Sequence, residues 1–300
     1  MYVVLGATGN TGSLVAETLL TKGEPVRAVS RSKERLERLV SRGAEAVQAD
    51  LADSAALTRA FDGVRAVYFM VPPDLQSTDY RAQQKRVIDA GAAALEAARV
   101  RYAVTLSSFG ADKESGSGPV SGLHGMETRF NGISGLNVLH LRAGYFMENI
   151  LPQVQVIQNF GMTAGPIRAE LPLPMITTRD IAAAVADALL KLDFSGQQTR
   201  ELLGQRELSY AEAARIIGAA IGKPNLGYVQ LPPDQFIQAL TGMGASRNFA
   251  ELIVEMANAM NDGRMKALEP RSASNTTPTS FETFVQEVFV PAYRGKAATA

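Results

Sequence analysis

The chain has 300 residues, 46% of them hydrophobic, enough to bury the core of one large α/β domain or of a domain carrying a small lobe; it is neither disordered nor fibrous. Thirty basic residues balance thirty acidic ones with no Lys/Arg-rich run, which disfavours a nucleic-acid partner, and the lack of cysteine excludes disulfides, thiolate metal sites and a cysteine nucleophile. No apolar run reaches the ~20 residues that span a bilayer, and Met1–Leu5 meets Gly6 with no room for an export signal, so the expectation is a cytoplasmic protein without a membrane partner, monomeric or homodimeric.

Short β-branched runs alternate with amphipathic stretches through the first two-thirds of the chain. Strands are predicted at Tyr2–Leu5, Val26–Ser30, Ala46–Ala49, Ala66–Phe69, Tyr102–Leu106 and Asn137–Leu141. Helices fit between them near Gly12–Lys22, Lys33–Arg42, Ser54–Phe61, Tyr80–Ala98 and Leu123–Ile133. This rhythm specifies an α/β fold, a Rossmann-type doubly wound parallel sheet whose ligands bind beyond the C-terminal strand ends. After Arg142 the rhythm breaks at Pro152, Pro166, Pro172 and Pro174, and helices follow at Thr178–Lys191, Tyr210–Ile221, Asp234–Leu240 and Ser246–Met260. The expected division is a nucleotide-binding domain at 1–150, a smaller interleaved lobe at 151–294 that shapes a substrate pocket, and a frayed tail at 295–300.

Gly6-Ala7-Thr8-Gly9-Asn10-Thr11-Gly12 follows a strand directly and opens a helix with Leu14, Val15, Leu19 and Leu20 on one face. In that context Gly6 permits a tight turn, Gly9 lets backbone approach a pyrophosphate, and Gly12 lets helix and strand pack closely. The N–H groups and positive dipole end of the helix then face the phosphates. The G-x-x-G-x-x-G spacing points to the short-chain reductase branch rather than to the G-x-G-x-x-G dehydrogenases.

An NAD-selective strand tip carries an acidic residue for the adenosine ribose. Here the tip reads Ser30-Arg31-Ser32-Lys33. Arg31 can pair with a 2′-phosphate and Lys33 adds a second charge, so the expected cofactor is NADPH. Both residues equally suit the start of a solvated helix that also holds Arg35 and Arg38. Asp50, before Leu51, either accepts the adenine amino group or caps the next helix, for which Asp53 and Ser54 lie closer.

With Ser107-Ser108 and Arg142-Ala143-Gly144-Tyr145-Phe146-Met147-Glu148-Asn149 added to these motifs, the sequence resembles the NmrA-like branch of the atypical short-chain dehydrogenase/reductases along nearly its whole length. His124 and Glu127, before Ile133-Ser134-Gly135-Leu136, are similar to the same stretch in bacterial NAD(P)H:quinone oxidoreductases of that branch. The resemblance implies that Met70, Val71 and Pro72 line the cofactor, that Ala143, Gly144 and Tyr145 approach the nicotinamide, and that the partner is a small aromatic acceptor. It also covers regulators that bind the nucleotide and do little chemistry.

Reductases of alcohols and ketones usually carry Tyr-x-x-x-Lys, which places a phenol and an ammonium on one helix face. Between Ala103 and Gly144 there is no tyrosine, and the only lysine is Lys113 in a Gly/Ser-rich loop. Simple ketones are therefore disfavoured, whereas quinones, azo and nitro aromatics need less acid help because the cofactor carries the chemistry and the protein positions it. His124 is the leading proton-relay candidate and His140 reads as structural. Tyr145 either donates to a bound carbonyl or walls and orients, the second being favoured. Ser107 marks the strand end where a reductase places a binding hydroxyl, and without His and Asp at triad spacing it suggests no hydrolase. No set of His and acidic residues has metal-ligand spacing, so no metal is expected.

Overall fold

The computed structural model describes residues 1–295; the tail expected at 295–300 lies, apart from Gly295, outside the described residues. Elements in chain order are β1 (Tyr2–Leu5), α1 (Asn10–Thr21), β2 (Val26–Ser30), α2 (Glu37–Val40), β3 (Glu45–Gln48), α3 (Ser54–Phe61), β4 (Ala66–Phe69), α4 (Tyr80–Ala97), β5 (Tyr102–Ser108), α5 (Val120–Asn131) and β6 (Asn137–Ala143). The second part contains β7 (Tyr145–Phe146), α6 (Gln153–Phe160), β8 (Thr163–Gly165), β9 (Leu173–Ile176), α7 (Thr178–Lys191), β10 (Gln197–Leu202), β11 (Glu207–Leu208), α8 (Tyr210–Ile221), β12 (Tyr228–Gln230), α9 (Pro233–Gly242), α10 (Arg247–Asn261), α11 (Phe281–Phe284) and α12 (Val290–Tyr293).

Seven parallel strands form the main sheet in the order β10-β6-β5-β4-β1-β2-β3, so the chain reverses direction across the sheet between β1 and β4. Period-two alternation assigns the faces. Tyr2 and Val4 of β1 pack with Val15 and Leu19 of α1 and with Ile181, Val185 and Leu189 of α7. Val3 and Leu5 face Leu57 of α3, Val87 of α4 and Phe130 of α5.

Three elements depart from the sequence reading. The stretch 33–42 is not one helix but a 3-10 turn, Glu34–Leu36, followed by the short α2. Only Leu36 and Leu39 are buried there, too narrow an apolar stripe to hold a longer helix on the sheet. The seventh strand, β10, pairs with β6 at the edge, and its polar Gln-Gln-Thr-Arg start is exposed or half-buried, so no hydrophobic run announces it. The chain from Phe281 to Tyr293 is helical, with a wide π turn at Val285–Phe289 between α11 and α12, and it buries Phe281, Phe284 and Phe289 in the lobe core. Pro291 lies within this helical run just after the π turn, where it contributes no N–H to the ladder.

The second part thus feeds β10 back into the main sheet and packs α7 on its face, while β7, β9 and β11 form a small sheet that shares a core with α6, α8 and α10. The two parts are fastened across the sheet's upper edge. Ser246 N–H donates to the Leu75 carbonyl at 2.7 Å, and Tyr80 N–H donates to Asn248 Oδ1 at 2.9 Å. Among the described residues no helix is long and apolar enough to cross a membrane.

Candidate active site

The glycine turn divides its labour among its residues. Gly6 has φ +63, a left-handed conformation, and a Cβ there would stand 2.8 Å from Met70 Sδ. A Cβ on Gly12 would meet the Gly6 carbonyl oxygen at 2.3 Å, so Gly12 is required for α1 to lie against β1. Gly9 differs: it is the N-cap of α1 with ordinary extended dihedrals, and a Cβ there meets only the Gly6 oxygen at 3.3 Å. No side chain caps α1, whereas Asp53, Asp79, Thr177, Ser209 and Ser246 cap α3, α4, α7, α8 and α10. The first N–H groups of α1 therefore stay available to an anion.

Gly6, Thr8, Gly9, Asn10, Thr11 and Gly12 form one wall of a cleft of about 500 Å³ at the C-terminal strand ends. Ser30, Arg31, Asp50 and Leu51 form its adenosine-sized end, and Met70 and Pro72 its far wall. Thr8 and Ser30 hydroxyls lie 3.1 Å apart. Among the described residues nothing pairs with the exposed Arg31 guanidinium; only its carbonyl is engaged, by Gln48. Lys33 is exposed and does not line the cleft, because the 3-10 turn carries it outward and brings Arg35 in instead. Arg35 donates to the Thr8 carbonyl at 3.0 Å, tying the second strand tip to the glycine turn. Asp53 takes the cap of α3, accepting from Ala56 N–H, which leaves Asp50 in the cleft wall with a single bond from Ala52 N–H.

At the other end the cleft is closed by Phe146, Glu148, Asn149 and Thr178, none of which was assigned from sequence. Glu148 Oε1 accepts from the N–H and the hydroxyl of Thr178 at 2.9 and 2.7 Å. Its Oε2 is buried and has no partner among the described residues. Burial raises the Glu148 carboxyl above the ordinary carboxylate range, and the Thr178 bonds partly offset that. A bare helix N-terminus, a glycine whose missing Cβ leaves the cleft open, an unpaired guanidinium and an orphaned buried oxygen together fit a phosphate-rich dinucleotide bearing hydroxyl and amide donors.

A second cavity of about 490 Å³ opens from the same place. Asn149 lines both, and most of the rest of its wall comes from α6, α9, α10 and the residues around β8, with no Lys, Arg, His, Asp or Glu among the described residues that line it. Phe160 and Met243 line it as well and are 70% and 58% exposed. Tyr145 and Tyr210 stand in this wall, and the Tyr210 hydroxyl donates to the Tyr145 oxygen at 2.7 Å. Burial raises the Tyr145 phenol, while hydrogen bonds from Tyr210 and Asn149 act the other way. Tyr210 stacks on Tyr228, with centroids 4.8 Å apart.

Several residues named from sequence stand behind these walls. Ala143 and Gly144 are buried and line neither cavity; a Cβ on Gly144 would meet the Pro174 oxygen at 2.4 Å, so their role here is to seat β7 against β9 and so place Tyr145. Val71 packs under the sheet. Ser107 donates to Glu127 at 2.6 Å, and Glu127 in turn binds Arg142 through both oxygens, a buried triad that uses up the Ser107 hydroxyl.

His124 lines neither cavity. Its Nδ1 lies 2.9 Å from the Ala111 carbonyl, which can only accept, so Nδ1 carries the proton. His140 is fully buried on β6, with Thr105 donating to Nδ1 at 2.8 Å and Nε2 donating to Asn131 at 3.0 Å. Burial lowers its pKa from 6.5 to about 4. The unfolded chain therefore binds more protons between those values, so this contribution is intact above pH 6.5 and lost as pH falls toward 4, at a cost of about 3 kcal/mol. Urea titrations should show stability falling between pH 7 and 4.5, and His140→Gln should lack that component; identical pH slopes would refute it.

A model of the NmrA-like family matches residues 2–285. The chain is 30% identical over 258 residues to an NAD(P)H azoreductase of Xenophilus azovorans, covering 85% of this chain and 86% of the relative. It is 27% identical over 258 residues to quinone oxidoreductase 2 of Escherichia coli, again covering 85% and 86%. The crystal structure of an NADPH-dependent quinone oxidoreductase from Escherichia coli complexed with NADPH matches with a TM-score of 0.80 at 26% identity, covering 96% of this chain and 100% of that one. Glycine turn, bare helix start, strand-tip arginine and a family match across nearly the whole chain agree: this protein belongs to the NmrA-like family.

Proposed function

We propose that the chain is an NADPH-dependent oxidoreductase that passes hydride to a quinone or a similarly electron-poor aromatic acceptor. The observation that carries this reading is the shared Asn149 wall, which sets an uncharged aromatic- and methionine-lined cavity directly against the nucleotide cleft. NADPH, when bound, supplies the hydride. The α1 N–H groups and the Gly6–Gly12 turn hold the pyrophosphate, Arg31 and Arg35 hold the 2′-phosphate, and Asp50 and Leu51 frame the adenine. Met70 and Pro72 press on the far side, and Glu148 and Asn149 orient the end nearest the acceptor. The azoreductase and quinone oxidoreductase relatives support the same class of acceptor.

An apolar slot without a phenol–ammonium dyad suits acceptors that are already polarised, and it gives a plain ketone no strong acid. NADPH oxidation followed across naphthoquinones, azo dyes and simple ketones should therefore be measurable for the first two groups and near background for the last. His124→Ala should leave kcat within about threefold, because its ring faces neither cavity; a loss of ~10²-fold would make it the general acid. NADPH bound tightly but oxidised by no acceptor would replace the enzyme reading with that of a nucleotide sensor acting on a partner protein.

A further inference from the structure

Resting on that reading, we infer that Tyr145 is the catalytic hydrogen-bond and proton donor to the acceptor oxygen, with Tyr210 as the residue that positions it. A phenol carries one proton and accepts through its oxygen. The Tyr145 oxygen already accepts from Tyr210 at 2.7 Å, so its own proton has to point elsewhere, and the side chain lines the acceptor cavity. Tyr210 is fixed from its own side: it follows the Ser209 cap at the start of α8, and its ring lies between Tyr145 and Tyr228.

The cavity's composition makes this donor matter. Hydride addition to a quinone delivers two electrons and one proton and leaves a hydroquinone monoanion. Among the described residues no cationic side chain lines the cavity, and an uncompensated charge in apolar surroundings is costly. As the new bond to hydride forms, the Tyr145 O–H bond breaks and its proton moves to the acceptor oxygen, leaving the O–H electron pair on a phenolate whose charge is met by the two donors already on that oxygen, the Tyr210 hydroxyl and Asn149. Water restores the Tyr145 proton when the neutral hydroquinone leaves. A ketone asks more of the same donor, because its alkoxide product is far more basic than a hydroquinone anion, and the Tyr145 phenol, raised by burial and with no cation among the lining residues, is too weak an acid to meet that demand.

The test uses the full chain with NADPH and 1,4-naphthoquinone. Tyr145→Phe should lower kcat by roughly 10²-fold, Tyr210→Phe by about tenfold, and the double variant should be no slower than Tyr145→Phe alone, since the second hydroxyl acts through the first. Calorimetric affinities for NADPH alone, and for the naphthoquinone without NADPH, should stay within about fivefold in every variant. A kcat within twofold of the unmodified protein in Tyr145→Phe, or multiplicative losses that track lost affinity, would overturn the donor role and leave the quinone reading standing. Absence of turnover by the unmodified protein would overturn both.

Discussion

Replacing Gly9 by valine is expected to abolish NADPH binding and leave the fold in place. Gly9 has φ −95 and ψ 172, which β-branched residues adopt readily, and only one backbone oxygen, at 3.3 Å, stands near the position of a new Cβ. The added methyl groups would occupy the mouth of α1, where the uncapped N–H groups converge, so the phosphates would lose both space and donors. Calorimetry should show at least ~10²-fold weaker binding, more than about 2.8 kcal/mol, with the thermal midpoint of the free protein shifted by only a few degrees. The contrasting variant is Gly12→Ala, whose Cβ would lie 2.3 Å from the Gly6 oxygen; it should lose stability first and binding only as a consequence. Normal NADPH affinity in Gly9→Val would move the pyrophosphate away from this turn.

Arg31→Ala is expected to erase most of the preference for NADPH over NADH, on the order of 1.5–3 kcal/mol for a charge-assisted contact. The guanidinium is exposed and unpaired among the described residues, so its removal leaves no buried group stranded and its effect should fall on the phosphorylated cofactor alone. Arg35→Ala should weaken both cofactors, since Arg35 also holds the Thr8 carbonyl of the glycine turn. Lys33→Ala should change little. Part of the Arg31 effect should fade with salt, because the contact lies in solvent. Equal affinities of the unmodified protein for the two cofactors would overturn the assignment.

How far each part of the site was legible follows from how many chain segments build it. The glycine turn needs only seven consecutive residues, and the cofactor preference only the absence of an acidic residue at one strand tip; both are written locally. The choice between Lys33 and Arg35 was not, because it turns on whether the stretch winds as an α-helix or a 3-10 turn, and two buried leucines, Leu36 and Leu39, decide that against the sheet. Glu148 was visible as part of a motif, but its placement in the cleft wall depends on Thr178, 30 residues away on another element.

The sequence by itself determined the alternation of strands and helices, the glycine turn, the basic strand tip and the lack of a ketone-reducing dyad, because each is a property of periodicity, contiguous spacing or residue type. Tertiary structure alone decided the uncharged cavity beside the cleft. Its walls come from α6, α9, α10 and the residues around β8, and the bond between its two tyrosines spans 65 positions. It also decided that Ser107 and His124 look inward to Glu127 and Ala111 rather than toward a substrate. Helices this far apart in the chain meet only because each buries its apolar stripe in the shared lobe core, and no local pattern encodes which stripe will face which.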